Sequence, residues 1–223
     1  MEFKNFLKST EITEKVLYKK VGKKFLSWSM VGTGTYSCRG EFGGDIANLP
    51  DEIYIEPETM LKIIDLLNKD MSFNIEDNTI TVEGKNVKLT YGLEKPVSNE
   101  IKTAKIVYGD PAFILTKDDI EKIIKTEAMV KADTAVINLD EFAEIVVKGM
   151  IPSNKALFKI NKINKMKSKQ SFPSLFFETL RKSNGLDFKA FMLEGQEEAP
   201  LNLRIEDSNT TINYYIAPKI EKE

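Results

Sequence analysis

Five glycines between positions 32 and 44 (Gly32, Gly34, Gly40, Gly43, Gly44) are the first residues with a possible chemical role. Glycine-rich loops can bring backbone N–H groups close to phosphate, but a nucleotide loop also needs a following Gly-Lys-Ser/Thr or a dinucleotide fingerprint, and neither is present. These glycines therefore read as hairpin turns. The acidic pairs Asp118/Asp119 and Glu197/Glu198 are adjacent in sequence. Neighbours on a helix point about 100° apart, which suits neither a shared metal nor a shared proton. Ser27, Ser29 and Cys38 are nucleophile types, yet the chain has no histidine to activate them. The expectation is a protein that is not an enzyme and uses no metal or cofactor.

The cations carry more. Lys4 and Lys8 fall on a first predicted helix, and Lys62 and Lys69 on a second. Lys117, Lys122, Lys125 and Lys131 lie on or beside a third, and Lys165, Lys167, Lys169, Arg181 and Lys182 surround a fourth. Lysine offers a mobile point charge without base-reading geometry, so helices sharing one surface would give sequence-blind, salt-sensitive attraction to phosphate backbones. Lysine is also what solvated helix faces ordinarily carry. On the third helix, Asp118, Asp119, Glu121 and Glu127 balance the charge.

Composition bounds the rest. With 223 residues, 42% hydrophobic and 30% charged, the chain reads as an ordinary globular protein able to bury one large core or two modest ones. Its net charge of -2 hides segregation: Lys148 to Lys169 holds seven lysines and no acid, whereas Glu194 to Glu223 holds seven acids against Arg204, Lys219 and Lys222. A single cysteine rules out an intrachain disulfide framework. No apolar run approaches the roughly 18 residues of a membrane span, and Met1-Glu2-Phe3-Lys4 does not open a signal peptide. An intracellular location is the default expectation.

An approximate repeat positions these groups. Ile53 to Tyr91 reads as a short strand, an amphipathic helix with Met60, Leu61, Ile64 and Leu67 on one stripe that Ile63 widens, and three alternating strands (Phe73/Ile75, Ile80/Val82, Val87/Leu89/Tyr91). Ala112 to Met150 repeats the order: Phe113–Leu115, a helix from Lys117 to about Val130, then Thr134–Leu139 and Glu144–Val147. Thr116 and Asp119 supply a capping box at its start, and Ile120, Ile123 and Ile124 are expected to face a core. Before the first copy come a short helix over residues 2–9 (Phe3, Phe6, Leu7) and strands Val16–Tyr18, Phe25–Met30 and Tyr36–Phe42. After the second come Leu157–Ile163, a basic loop, a helix from about Pro173 to Lys182 with Phe172, Leu175, Phe176 and Leu180 on its stripe, and three final strands. Gly92–Pro111, with two prolines and two glycines, reads as a connector, with Ile101–Tyr108 as a brief edge strand. The predicted organisation is α+β: an N-terminal domain over 1–91, a connector over 92–111 and a C-terminal domain over 112–223, each domain with two helices packed on antiparallel sheet.

The C-terminal run Tyr214-Tyr215-Ile216-Ala217-Pro218-Lys219-Ile220-Glu221 closely resembles the terminal signature of the eukaryotic and archaeal DNA sliding clamp, proliferating cell nuclear antigen (PCNA). The pattern of the remaining chain, from the Phe3–Leu7 helix through Ile53–Asn68 and Phe113–Val130 to the final strands, is similar to the shorter sliding clamps of T4-like bacteriophages. The resemblance implies the DNA clamp fold, closed head to tail as a homotrimer, with helices lining a hole for duplex DNA. It implies a polymerase processivity factor, with DNA polymerase and a clamp loader as partners, working at replicating DNA in the host cell. A viral, bacteriophage-type clamp is implied, cytoplasmic if the host is bacterial. It places Tyr215, Ala217, Pro218 and Ile220 on one side of a partner-peptide groove, with Met30 or Val31 contributing and the connector opposite. For the subunit interface it leaves open the strand ending at Tyr108 and the Phe73–Tyr91 strands on one side, with Ala143–Val147 or its neighbours on the other.

A non-ring DNA-binding replication accessory protein is the alternative reading, and an enzyme with an unfamiliar site is a third.

Overall fold

The computed structural model describes residues 1–31, 34–44, 51–67, 72–76, 78–84, 87–94, 106–196 and 198–220. The chain divides into two compact units. One comprises Met1–Met30, Cys38–Ala104 and Ser208–Thr210, and the other Val31–Ser37, Lys105–Asp207 and Thr211–Glu223.

The first unit opens with helix α1 (Phe3–Thr10), then strands β1 (Val16–Val21), β2 (Lys24–Met30), β3 (Tyr36–Phe42, of which Tyr36 and Ser37 are counted with the second unit) and β4 (Glu52–Ile55). These strands lie in the order β4-β1-β2-β3. α1 has only eight residues, too few to be stable alone, so packing must hold it. Phe6 and Leu7 are fully buried, and Phe3 lies 5.5 Å from Phe25 and 4.9 Å from Phe42, ring to ring. The approach requires Gly40, where a Cβ would meet Ser27 Oγ at 2.5 Å and Phe6 and Thr10 at 2.7 Å. Helix α2 (Pro57–Leu67) follows, then a separate sheet of β5 (Ser72–Glu76), β6 (Thr79–Gly84) and β7 (Val87–Gly92) in sequence order. Met60 and Ile63 of α2 and Ile80 and Val82 of β6 are buried, as their spacing predicts.

The second unit contains β8 (Phe113–Leu115), α3 (Lys117–Val130), β9 (Ala132–Leu139), β10 (Ala143–Gly149), β11 (Lys155–Ile160), β12 (Ser168–Pro173), α4 (Leu175–Leu180) with a 3-10 turn over Arg181–Ser183, β13 (Phe188–Phe191), β14 (Leu201–Asp207) and β15 (Thr210–Ile216). One sheet runs β11-β10-β9-β12, and β15-β14-β13-β8 lie side by side. α3 starts in the predicted capping box: Thr116 Oγ1 accepts the Asp119 N–H, and the Asp119 carboxylate accepts the Thr116 N–H at 3.1 Å. It ends at Lys131, whose φ of 50° is left-handed and turns the chain into β9. Ile120 and Ile123 pack onto the face of β10 that carries Ala143, Ile145 and Val147, all of them buried.

Two local expectations change. Ser168–Pro173 is a strand paired with β9, so Lys169 lies within a sheet rather than a loop, and Phe172 belongs to that strand rather than to the fourth helix. Phe172 satisfies both patterns in the sequence, since Leu175 and Phe176 stand three and four positions on. Pairing of Phe172 with Ala135 decides for the strand, and α4 starts after it. In the connector, residues 95–105 lie outside the described residues, and Ile106–Tyr108 form no strand.

Candidate functional site

Each unit places two helices against one another. In the first, α1 and α2 are in contact, and the Lys4 ammonium reaches the Asp65 carboxylate at 2.6 Å. In the second, α3 and α4 are in contact, and the Arg181 guanidinium just beyond α4 reaches the Glu127 carboxylate on α3. Lys62 pairs with Glu58 one turn away at 2.9 Å, and Lys125 with Glu121 at 3.9 Å. Lys8 on α1, Lys117 and Lys122 on α3, and Lys131 at its end are exposed, and Lys182 is half-buried in the 3-10 turn. Within each unit the helix cations are thus sparse, and part of their charge is already balanced. Lys69 lies outside the described residues.

The basic loop is placed differently. Lys167 meets Asp140 at 3.2 Å at the turn between β9 and β10. Lys169 stands opposite Asn138, while its neighbours Gln170 and Phe172 are buried opposite Ile137 and Ala135. Strand alternation therefore puts Lys169 on the sheet face away from α3, apart from the helix cations. Lys165 is exposed in the loop between β11 and β12.

The C-terminal signature is held by its backbone. The Ala217 N–H donates to Thr35 O at 2.9 Å, and the Lys219 N–H donates to Ser171 O at 2.7 Å, so the tail runs beside β12. Tyr214 is fully buried, with its ring 5.9 Å from Phe188, whereas Tyr215 on the opposite face of β15 is half-buried. Pro218 is half-buried and Ile220 is 70% exposed. Val31 is half-buried and donates its N–H to Tyr36 O; Met30, at the end of β2 in the first unit, exposes about half its surface (48%).

Within the second unit, Tyr108, named in the sequence only as the end of the connector's edge strand, joins Tyr215. Tyr108 places its ring 6.3 Å from both Phe191 and Tyr215 and donates its hydroxyl to Pro200 O at 2.7 Å. Burial pushes the Tyr108 phenol above its ordinary range, and Tyr215 adds to the shift. Beside it opens a concavity of about 730 Å³ lined by Ile106, Val107, Leu193, Gln196, Glu198 and Pro200, with Val107 84% exposed. The mixed lining, with Ile106, Leu193 and Pro200 beside Gln196 and Glu198, suits a short peptide. An aromatic residue inside the glycine- and proline-rich connector was the available sequence signal. Among the described residues no three acidic or cysteine side chains converge as metal ligands, and no helix is long and apolar enough to cross a membrane.

Two helices per unit on antiparallel sheet, repeated within one chain, define the α+β fold of the DNA sliding clamps. The specific match is to PCNA. In the structure of the C-terminal region of FEN-1 bound to A. fulgidus PCNA, the similarity spans 99% of this chain and 96% of that one, with a TM-score of 0.72 and 15% identity. For PCNA from Entamoeba histolytica the coverage is 98% and 95%, with a TM-score of 0.72 and 16% identity. No protein-family model matches the sequence, and no curated protein matches it. The chain has the PCNA fold, read from its three-dimensional arrangement at an identity where sequence comparison is silent.

Proposed function

We propose that this protein is a sliding clamp: a homotrimeric ring that encircles duplex DNA and tethers a DNA polymerase after placement by a clamp loader. The observation that carries this reading is coverage in both directions, since nearly the whole chain corresponds to nearly the whole of each PCNA chain. A clamp needs no reactive groups. Topological linkage keeps it on DNA, so phosphate contacts have to be weak enough to slide, and enclosure raises the effective concentration of the tethered enzyme. The helix cations Lys4, Lys8, Lys62, Lys117, Lys122, Lys125, Lys131, Arg181 and Lys182 are the proposed DNA-facing set. Several are partly neutralised by neighbouring acids, which fits weak contact.

Ring closure needs a heterologous contact between unlike edges. Both edges of β10 are taken, by β9 and β11, so the Ala143–Val147 strand cannot pair with another chain. Its neighbour β11 is terminal in its sheet, and β7 is terminal in the sheet of the first unit, among the described residues. Pairing β11 of one copy with β7 of the next would cover two exposed backbone edges at once.

Val31, Tyr215, Ala217, Pro218 and Ile220, joined by Tyr108, Ile106 and Pro200, are the proposed peptide-docking surface. The similar A. fulgidus PCNA is bound by the C-terminal region of FEN-1, which supports a partner tail as the occupant.

The test combines mass and topology. Sedimentation across a concentration series is expected to show a trimer, and protein loaded on nicked circular DNA is expected to remain there and leave once the circle is cut. A monomer at every concentration, holding circular and linear DNA alike, would replace this reading with a non-ring DNA-binding accessory protein.

A further inference from the structure

The sheet β11-β10-β9-β12 has one face covered by α3 and one without a helix. Ala143, Ile145 and Val147 point toward α3, so Glu144, Val146 and Lys148 point the other way. The register carries this second face across all four strands. One row reads Lys169, Asn138, Glu144, Lys159; the next Ser171, Val136, Val146, Leu157; the third Pro173, Thr134, Lys148, Lys155. Val136, Val146 and Leu157 thus form an apolar row over three of the strands, between two lysine-bearing rows; Val136 is buried, Val146 is half-buried and the outer residue, Leu157, is 53% exposed.

The charges on this face are poorly balanced. Glu144 lies 3.9 Å from Lys159, and Asp133 lies 3.8 Å from Lys219, which also bonds to Thr134 Oγ1 in the third row. No described acidic side chain is within ion-pair reach of Lys148, Lys155 or Lys169. Lys148 and Lys155 stand directly opposite each other across β10 and β11. Like charges in that position destabilise a strand pair, so folding alone gives no reason for them.

We propose that this face docks an acidic amphipathic helix of a partner protein. Along each strand the lysine rows are four residues apart, about 13 Å, and Lys169 and Lys159 stand three strand spacings apart, about 14 Å. A helix of about ten residues has that length, and a leucine stripe flanked on both sides by glutamates matches the width and the charge. Its apolar stripe covers Val146 and Leu157 while its carboxylates meet Lys148 and Lys155 on one side and Lys159 and Lys169 on the other. Nucleic acid is the poorer occupant: Phe142, the exposed ring at the margin of this face, already carries the Lys159 ammonium over it at 5.3 Å, and phosphates would lie against Val146 and Leu157. This surface is separate from the helix cations and from the concavity beside Tyr108.

The experiment uses the full chain and a fluorescein-labelled helical peptide of leucine, alanine and glutamate, with glutamates flanking one leucine stripe, read by fluorescence anisotropy. The wild-type protein is expected to bind it and to ignore the same peptide with lysine in place of glutamate. The Lys148→Glu/Lys155→Glu double variant is expected to lose at least tenfold in affinity and Leu157→Ser several-fold, while Lys148→Arg/Lys155→Arg stays within about twofold. Lys148→Glu alone places an acid opposite Lys155, so its Tm should rise while peptide binding falls; a fall in both would show a structural role and overturn the proposal. No peptide binding by the wild type, equal binding by the charge-reversed variant, or a short DNA duplex that displaces the peptide and is weakened by the same variants would each overturn it as well.

Discussion

The Lys4 ammonium on α1 lies 2.6 Å from the Asp65 carboxylate on α2. Arg181 and Glu127 make the same connection between α4 and α3 in the other unit, so each helix pair is pinned by one cation and one acid. The cations in these pairs are spoken for before any polyanion arrives, which separates them from Lys8 and Lys122.

That difference predicts a ranking. Replacing Lys4, Lys8, Lys122 and Arg181 together with alanine is expected to weaken DNA association and flatten its salt dependence with little loss of fold. Within the set, Lys8→Ala and Lys122→Ala should reduce the salt slope more than Lys4→Ala or Arg181→Ala, because a cation already paired releases fewer counterions. Lys4→Ala should cost less than about 1 kcal/mol of stability, as an exposed pair does. Binding titrations at several salt concentrations check the order, and unchanged slopes throughout would remove these side chains from the DNA-facing set.

At the proposed docking surface, Pro218→Glu with Ile220→Glu is expected to abolish polymerase stimulation while leaving the oligomer intact. Both side chains reach solvent, so neither change creates a buried charge. Primer-extension length is the readout, and full stimulation by the double variant would refute the assignment.

Tyr108→Phe removes the hydroxyl that donates to Pro200 O but keeps the ring between Phe191 and Tyr215. A stability loss of about 1 kcal/mol is expected from the lost bond, whereas Tyr108→Ala should also weaken partner-peptide binding. Denaturant unfolding alongside peptide titration separates the two effects.

Thr116→Ala deletes one half of the capping box at the start of α3 and should destabilise the protein by about 1 kcal/mol. Thr116→Ser keeps the oxygen that accepts the Asp119 N–H and should recover most of that loss in a thermal melt.

The pH dependence on the acid side has an identified contributor. Lys189, hydrogen-bonded to Glu206, holds that carboxyl below its ordinary value of 4.5; partial burial opposes the shift, and Arg204 adds to it. The folded value lies below the unfolded one, so the stabilisation is present above about pH 4.5 and disappears as the pH falls through the lowered folded value. Glu206→Gln should therefore melt below the wild type at pH 7 and converge with it at strongly acidic pH. A gap of constant size from pH 7 to pH 3 would contradict this account.

Much of the fold was legible because burial imposes a period. Ile120 and Ile123 in α3, Met60 and Ile63 in α2, and the alternation of Ile145 and Val147 in β10 repeat at the spacing of the element that buries them. The Thr116–Asp119 cap was readable for the same local reason, since both partners lie within one helical turn. β12 was not legible, because Phe172 satisfies a strand and a helix equally and only pairing with β9 chooses between them. The concavity beside Tyr108 escaped too: Ile106, Leu193 and Pro200 are far apart in the chain and follow no shared period.

By itself, then, the sequence determined most of the helices and strands but not β12, that no histidine-based chemistry is available, and that the Tyr214–Glu221 run resembles a clamp terminus. Tertiary structure alone decided which lysines share a helix surface with acids, that Lys169 faces away from α3, and that Tyr108 joins Phe191 and Tyr215. The physical reason is range. Hydrophobic periodicity and capping act within a few residues, whereas strand register and the meeting of distant side chains depend on closing long loops, and many sequence patterns are compatible with each closure.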